Sequence, residues 1–215
     1  MTALRFAVSD PRPANEMAAP GVLFRLTVQN EQLVARVHTL ALRCQVQIEP
    51  RARRHTPEEQ EGLREIFGAP DQWSRTLRPL IWAHVSTVVP AFTDSTAIDL
   101  TVPCTYDFQV AAAKYLHVIR DGVIPLRFLF SGSAFLLEAE RFRIEPVSWD
   151  ADATFSMPAT VWQAAIDRFF PDAAWLFVRR TTLDALHTFR TSRGLASWDE
   201  VLEQLLDKAP ARRFA

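Results

Sequence analysis

The sequence predicts an α+β fold, in which an antiparallel β-sheet or sandwich of about seven to eight strands is followed by a C-terminal helical segment. Apolar residues alternate with polar ones through most of residues 22–149, which is the two-residue period of half-buried strands. Beyond residue 149 the apolar positions take helical spacing. Strands that precede helices in this way favour helices packed on an antiparallel sheet.

Residues 1–21 are predicted to be an N-terminal extension without a signal peptide, because Asp10 and its neighbouring prolines interrupt any apolar segment. The longest uncharged run, residues 79–93, is shorter than the roughly 20 apolar residues of a membrane-spanning helix. With 24 basic and 25 acidic side chains, the net charge of -1 argues against nucleic acid as a partner. We therefore expect a cytoplasmic protein that does not insert into membranes.

The β-rich domain is predicted over residues 22–149. Its second strand, residues 33–48, changes the parity of its apolar positions near His38 and Thr39, which indicates a β-bulge or bend. The predicted strands are residues 22–28, 33–48, 80–89, 96–102, 106–119, 123–130, 135–137 and 142–144.

A short helical insertion is predicted at residues 56–78. Thr56 and Glu59 have the spacing of a capping box, and Gly68 is a typical helix stop. Two cysteines, Cys44 and Cys104, lie in strand-like stretches without metal-binding spacing, so buried free thiols are expected.

The dipeptide Asp121-Gly122 predicts a two-residue hairpin turn between strands 106–119 and 123–130. In that register, residues on one face of the hairpin form part of the core; they are Ala113, Tyr115, His117, Ile119, Ile124, Leu126, Phe128 and Phe130.

The helical C-terminal segment is predicted over residues 150–215 and is expected to pack on the sheet. Pro158 begins the first helix and Gly194 ends the second. Ser197 and Glu200 have the spacing of a capping box for the last helix.

No glycine-rich phosphate loop and no nucleophile elbow occurs in the sequence, so we expect no nucleotide cofactor and no catalytic serine of that kind. A metal site drawn from separate strands would use His84, His117 and Asp107, together with Asp94 and Asp99. The alternative is that these are ordinary surface or core residues, and no metal or other cofactor is the preferred prediction.

A basic cluster of Arg51, Arg53 and Arg54 precedes the helix that Thr56 caps, where backbone N–H groups could receive an anion. Three glutamates follow within seven residues of Arg54 and oppose this field. An anion site and a self-paired loop are both left open by the sequence.

Six tryptophans suggest a surface that binds a protein partner, since indole combines a large apolar area with a hydrogen-bond donor. The candidates at or beyond the end of the predicted sheet are Trp149, Trp162, Trp175 and Trp198. The alternative is that they seal helices on the sheet. The binding hypothesis requires at least one exposed tryptophan.

The stretch VPCTYDFQVAAAKYLHVIRDGVIPLRFLF, with the segments FGAPDQW, SWD, VWQAAIDRFFP and TTLDAL, resembles an uncharacterised actinobacterial protein family associated with gene clusters of nickel-iron uptake hydrogenases. The resemblance implies an accessory or assembly role, with hydrogenase subunits or maturation factors as partners. It implies no catalytic residue.

A shorter stretch is similar to the SecB export chaperone, in which antiparallel strands precede helices. Phe170-Pro171 followed by Asp184, Ala185 and Leu186 carries this similarity. It implies a chaperone for unfolded or exported clients.

From these observations we expect a non-enzymatic binding or assembly protein, with hydrogenase biogenesis as its suggested setting. The alternatives are a SecB-like chaperone and a metal-dependent enzyme with a His and Asp site.

Overall fold

The computed structural model describes residues 4–31, 36–105, 107, 110–138, 141–171, 173 and 177–208. The chain divides into two compact units, Met1–Trp175 and Leu176–Ala215. The described residues form eight strands in two antiparallel sheets, together with seven α-helices, which confirms the predicted α+β class.

The strands are β1 (Leu4–Pro13), β2 (Gly21–Asn30), β3 (Arg36–Ile48), β4 (Leu80–Val89), β5 (Ser95–Pro103), β6 (Val123–Glu138), β7 (Arg141–Pro146) and β8 (Asp152–Pro158). The helices are α1 (Pro57–Gly62), α2 (Arg64–Phe67), α3 (Trp73–Thr76), α4 (Ala111–Val118), α5 (Ala159–Asp167), α6 (Arg180–Arg193) and α7 (Trp198–Lys208). Short 3₁₀ helices occupy Pro50–Ala52 and Pro70–Gln72.

The smaller sheet has the strand order β1-β2-β5, and the larger has the order β4-β3-β6 with β7 and β8 both paired to β6. Strand β6 is long enough for both partners: residues 123–129 pair with β8 and residues 133–138 pair with β7. Residues 126–137 of β6 also pair with β3, on the other side of the strand.

The core lies between the two sheets and is filled mostly by even-numbered side chains of the strands. Phe6 stacks on Phe130 with ring centroids 4.3 Å apart, and Phe24 meets Phe128 edge-on at 5.1 Å. Such contacts join the smaller sheet to β6. The predicted alternation is confirmed at the buried residues Val22, Phe24, Leu26, Val28, Leu40, Leu42, Cys44, Val46 and Ile48.

The predicted bulge in the second sequence strand is confirmed. The pairing of β3 with β6 shifts register between Val37 and Thr39, so that His38 is the additional residue. The shift keeps both Val37 and Leu40 buried although they have opposite parity. Residues 33–35 of the predicted strand lie outside the described residues.

The structure corrects the expected N-terminal extension, because β1 lies within residues 1–21 and pairs along its length with β2. Phe6 and Val8 are buried. Pro11 and Pro13 lie at the end of an edge strand, where a missing N–H costs no ladder hydrogen bond.

The predicted hairpin of residues 106–119 with 123–130 is wrong, because residues 111–118 form α4. The alanines before Lys114 favour a helix, and the buried positions Ala112, Ala113, Tyr115 and Leu116 have helical spacing. Gly122 keeps the positive φ of a turn, at 75°, but the strand that follows it pairs with β3 and β8. His117 is half-buried on the helix and is not a strand residue of the core.

The helical insertion is present as α1, α2 and α3, and its predicted capping box is confirmed. The Thr56 side chain accepts a hydrogen bond from the Glu59 backbone, and the Glu59 side chain accepts one from the Thr56 backbone. Gly68 follows α2 with a φ of 76°, a conformation that favours glycine.

Two features correct the predicted boundary of the helical segment at residue 150. Residues 152–158 are the strand β8, and α5, which begins at Ala159, belongs to the first unit, where it packs against β1 and β2.

The second unit contains α6 and α7. Gly194 ends α6 in the left-handed conformation, as predicted. Ser197 caps α7 by accepting a hydrogen bond from the Glu200 backbone at 3.1 Å, whereas the Glu200 carboxylate accepts from the Ala196 N–H and not from Ser197. No helix in the described part of the chain has the length and apolar character needed to cross a bilayer.

Candidate functional site

The outer edge of the larger sheet is interrupted by a bulge that carries Trp149. The Val147 N–H donates to the Gly132 carbonyl at 3.0 Å, and the Phe130 N–H donates to the Ala151 carbonyl at 2.9 Å. Between these two bonds, residues 148–150 on the edge lie opposite the single residue Ser131 of β6. The additional residues of this edge project from the sheet, and the side chain of Trp149 is 89% exposed.

Strand β7, which precedes this bulge, exposes two large apolar side chains. Phe142 is 66% exposed and Ile144 is 63% exposed. They lie directly opposite Leu137 and Phe135 of β6, so the four side chains share one face of the sheet. We call these four residues, Phe135, Leu137, Phe142 and Ile144, the β7 patch.

The β7 patch lies on the outer face of the larger sheet, away from the core. Next to it, the ring of His38 at the β3 bulge meets the Phe142 ring edge-on, with centroids 5.3 Å apart. Farther across this face, the exposed Val88 of β4 lies opposite Ala41 of β3. Apolar side chains therefore occur on β7, β6, β3 and β4 at this end of the outer face.

The opposite face of β7 is charged. Arg143 lies 3.0 Å from the Glu145 carboxylate and 4.0 Å from that of Glu138. These ion pairs are partly exposed, so each contributes at most about 1 kcal/mol. The exposed apolar side chains of β7 therefore lie on its outer face alone.

The backbone of β7 is also open on one side. Since Val147 is hydrogen-bonded to Gly132, the alternation of an antiparallel ladder assigns the β6 bonds to Arg141, Arg143 and Glu145. The N–H and C=O groups of Phe142 and Ile144 then point away from β6. Among the described strands, β7 pairs with β6 alone.

The predicted tryptophan candidates have different environments. Trp162 is 2% exposed on α5 and belongs to the core, which corrects its assignment as a contact residue. Trp198 is 37% exposed in the second unit, with the Arg190 guanidinium 5.1 Å from its ring centroid. Trp175 lies outside the described residues. The requirement for at least one exposed tryptophan is met by Trp149.

The basic cluster forms internal bonds. Arg53 donates to both carboxylate oxygens of Glu59, at 2.7 and 3.0 Å, and both side chains are nearly buried. Arg51 donates to the Ser74 carbonyl at 2.9 Å, while Arg54 is exposed. The geometry is that of the self-paired loop and not of the anion site.

A polar contact that the sequence did not reveal joins the helical insertion to α4. His55 Nε2 lies 3.0 Å from the Tyr115 hydroxyl. Burial and the nearby Arg53 lower the pKa of His55, although Glu59 opposes this effect, and burial raises the pKa of Tyr115. Tyr115 is fully buried and His55 is half-buried, so the pair holds the insertion against α4.

The proposed metal ligands do not come together. His84 is exposed on β4, and His117 lies on α4. Within the described ranges, no group of three His, Cys, Asp or Glu side chains could hold a metal ion.

Burial raises the pKa of both cysteine thiols, Cys44 and Cys104, to about 12. Both are free thiols. They therefore carry little thiolate at neutral pH, and neither has the character of an activated nucleophile.

Residues 1–213 match a family model described as "Family of unknown function (DUF6084)". No curated protein matches the sequence.

Solved structures with some likeness include three β-glucosidases. β-Glucosidase 3B from Thermotoga neapolitana in complex with glycerol is 10% identical, with 72% of this chain and 17% of that chain covered and a TM-score of 0.24. A β-glucosidase from Paenibacillus barengoltzii is 10% identical over 73% of this chain and 15% of that chain, with a TM-score of 0.27. The enzyme from Kluyveromyces marxianus in complex with glucose is 9% identical over 73% and 15%, with a TM-score of 0.22. The chain thus spans less than a fifth of each enzyme, and at these TM-scores the likeness has no bearing on fold or activity.

Proposed function

Since the chain belongs to the family of unknown function DUF6084, we propose a function from its own geometry: it is a non-enzymatic binding or assembly protein. It holds a protein partner on the β7 patch and on Trp149. The single observation that carries the proposal is the exposure of Phe142, Ile144 and Trp149, at 66%, 63% and 89%, along one edge of the sheet.

The energetics favour a contact surface at this edge. Burying a large apolar side chain contributes about 1.5–3 kcal/mol, and tryptophan is enriched among the residues that dominate binding energy. Phe142 and Ile144 retain most of their surface in water, so a partner that covers them gains most of this energy. Exposed apolar residues that adjoin one another mark interaction sites, unlike single ones.

The shape of the surface favours a protein over a small ligand. The β7 patch lies on the face of a sheet, whereas small-molecule sites are concave and bury most of the ligand. Polar side chains such as Thr39 and Ser133 lie beside the apolar ones on this face, in the manner of a polar rim.

The partner that we propose to test first is a nickel-iron hydrogenase subunit or maturation factor. Support for this choice comes from the resemblance carried by Val102–Phe130 and the shorter segments, and not from the geometry. An apolar sheet face would also suit unfolded clients, as in the SecB-like alternative.

Affinity purification from the source organism tests the proposal. We compare the tagged chain with a variant carrying Phe142→Ser, Ile144→Ser and Trp149→Ser. The control is Val123→Ser. Val123 is also an exposed apolar residue, and it lies at the other end of β6, about 40 Å along the strand from Phe135.

We expect one partner to be recovered in stoichiometric amounts with the unmodified chain and with Val123→Ser, and to be lost with the triple variant. Equal recovery with the triple variant would contradict the proposal. Hydrogenase subunits would identify the assembly role, and a mixture of unfolded chains would identify the chaperone alternative. Stoichiometric metal in the purified protein that His117→Ala removes would instead favour the metal-dependent enzyme.

A further inference from the structure

The backbone of β7 presents unpaired groups on the side away from β6, among the strands that the structure describes. Phe142 and Ile144 each direct an N–H donor and a C=O acceptor away from β6, which makes four groups in all. Exposed edges of this kind pair readily with another extended chain. The side chains along β7 indicate which chain fits.

The sequence of β7 is complementary to itself when it is reversed about Arg143. In an antiparallel pair centred there, Phe142 of one copy lies opposite Ile144 of the other, and Arg141 lies opposite Glu145. The first is an aromatic and β-branched pair on the outer face, and the second is an ion pair on the opposite face. Both types stabilise neighbouring strands. By symmetry each pair occurs twice.

This register also satisfies the backbone. Phe142 and Ile144 of one copy exchange both of their hydrogen bonds with Ile144 and Phe142 of the other. A register centred on Ile144 would place Phe142 opposite Pro146, which lacks an N–H and whose ring meets the facing carbonyl. A register centred on Phe142 would place Arg141 opposite Arg143 twice, and like charges opposed in this way are destabilising.

The centre of the favoured register brings Arg143 opposite its own symmetry mate. Each Arg143 already has Glu145 at 3.0 Å and Glu138 at 4.0 Å, so the charge at this position is compensated within each copy. Arg141, Arg143, Glu138 and Glu145 together carry no net charge.

We infer that the chain forms a symmetric dimer, in which β7 of one copy pairs antiparallel with β7 of a second copy about Arg143. The two larger sheets become one continuous sheet, and the two β7 patches become neighbours on its outer face. The dimer rests on the backbone edge of β7, on the Phe142–Ile144 pairs and on the Arg141–Glu145 pairs, and it requires no other protein, so it does not depend on the proposed function.

Disulfide cross-linking tests the register. In the inferred dimer Arg143 faces its own counterpart in a non-hydrogen-bonded pair, where Cα atoms are about 4.5 Å apart and within the range of a disulfide. Arg141 faces Glu145, so the two copies of residue 141 are about 13 Å apart along the strands. In a background with Cys104→Ser, which leaves only the buried Cys44, we expect Arg143→Cys to cross-link on mild oxidation and Arg141→Cys not to.

Exchanging the charges of Arg141 and Glu145 tests the ion pairs between the two copies, with the strength of dimerisation as the readout. Arg141→Glu alone and Glu145→Arg alone each place like charges opposite one another in a homodimer. A mixture of the two variants restores opposite charges at both pairs. By analytical ultracentrifugation we expect each single variant to dimerise at least tenfold more weakly than the unmodified chain, and the mixture to recover dimer.

Monomer at all concentrations for the unmodified chain, or equal cross-linking at residues 141 and 143, would overturn the inference. The charge variants keep Phe142, Ile144 and Trp149 unchanged. They should therefore still capture a partner although they dimerise weakly. A monomeric unmodified chain that still captures a partner would contradict the dimer alone, and equal capture by the triple serine variant would contradict the proposed function alone.

Discussion

Gly132 of β6 lies against Ala41 of β3 so closely that a Cβ atom at residue 132 would come within 2.0 Å of the Ala41 carbonyl oxygen. Its φ of 148° is also one that residues with side chains rarely adopt. The obstructing atom belongs to the backbone of a central strand, so it cannot move without disturbing the ladder of β3 and β6. A side chain at residue 132 therefore cannot be accommodated without displacing the backbone of β3.

We expect Gly132→Ala to lower the free energy of unfolding by at least about 3 kcal/mol, from backbone strain and overpacking together. Gly122→Ala is the matched control, because Gly122 has a φ of 75° but nothing within 4 Å of the added Cβ. It should cost about 1–2 kcal/mol, from the backbone alone. Urea denaturation of both variants makes the comparison, and equal losses would contradict the close approach to Ala41.

The ion pair of Arg53 with Glu59 should matter far more than the exposed pair of Arg64 with Glu61. Glu59 also accepts the Thr56 N–H in the capping box, so its removal leaves Arg53 nearly buried without its carboxylate and leaves α1 without half of its cap. We expect Glu59→Ala to cost about 2–4 kcal/mol and Glu61→Ala less than about 0.5 kcal/mol. Thermal and urea unfolding measure both, and similar losses would show that the buried pair is not formed.

The lowered pKa of His55 predicts a loss of stability in mild acid. A histidine whose pKa is lower in the folded state binds fewer protons there than in the unfolded state, so stability is complete above the unfolded pKa of about 6.5 and decreases as the pH falls below it. The half-buried His117 acts in the same direction, because burial and Arg120 lower its pKa.

We therefore expect the free energy of unfolding to decrease between pH 7.5 and pH 5.5, and to decrease less in His55→Gln. The difference between the two pH values is the readout, since the substitution also changes stability at a single pH. Chemical denaturation at both pH values provides the test. An unchanged pH dependence in His55→Gln would indicate that His55 is accessible to water and protonates freely.

The exposure of the β7 patch predicts that its outermost residues contribute little to folding. Phe142→Ser and Ile144→Ser should each change the free energy of unfolding by less than about 1 kcal/mol, because most of each side chain is already in water. Phe128→Ala, on the buried face of the same sheet, should cost about 3–5 kcal/mol. If Phe142→Ser proves as costly as Phe128→Ala, Phe142 is covered within the folded chain and is not available to a partner.

Local patterns predicted many elements correctly because the responsible interactions are close in sequence. The strand β4 was expected at residues 80–89, and the structure has the same bounds. The capping box at Thr56 involves residues three apart and needs no distant partner. The parity change at His38 revealed a bulge, because burial on one face of a strand imposes a strict alternation.

The errors arose where two patterns competed. In residues 111–118, alternating apolar residues suggested a strand, but the alanines and the helical spacing of the buried positions prevailed. In β1 only Phe6 and Val8 are buried and alternate, and this pattern is too short to indicate a strand before the prolines at residues 11 and 13. In β8 the alternation of Phe155 and Met157 directly precedes a helix, and the segment was assigned to that helical region.

The candidate site could be predicted only in part. Trp149 was identified from residue type and from its place beyond the last predicted strand, and Trp162 was identified in the same way although it belongs to the core. Phe142 and Ile144 alternate with Arg141 and Arg143, the pattern of any half-buried strand, and this pattern favours an inward position although both side chains are exposed. Alternation identifies two faces, but it does not show which face another layer covers.

By itself the sequence determined the α+β class, most strand positions, the caps of α1 and α7 and the absence of a glycine-rich phosphate loop, because each depends on local spacing or composition. Only the tertiary structure decided that β7 lies at an edge, that its apolar face looks outward, and that residues 148–150 leave the sheet opposite Ser131. Those features depend on which strands meet across long sequence separations. Burial is a property of the assembled sheets, and a residue's own neighbours in sequence do not specify it.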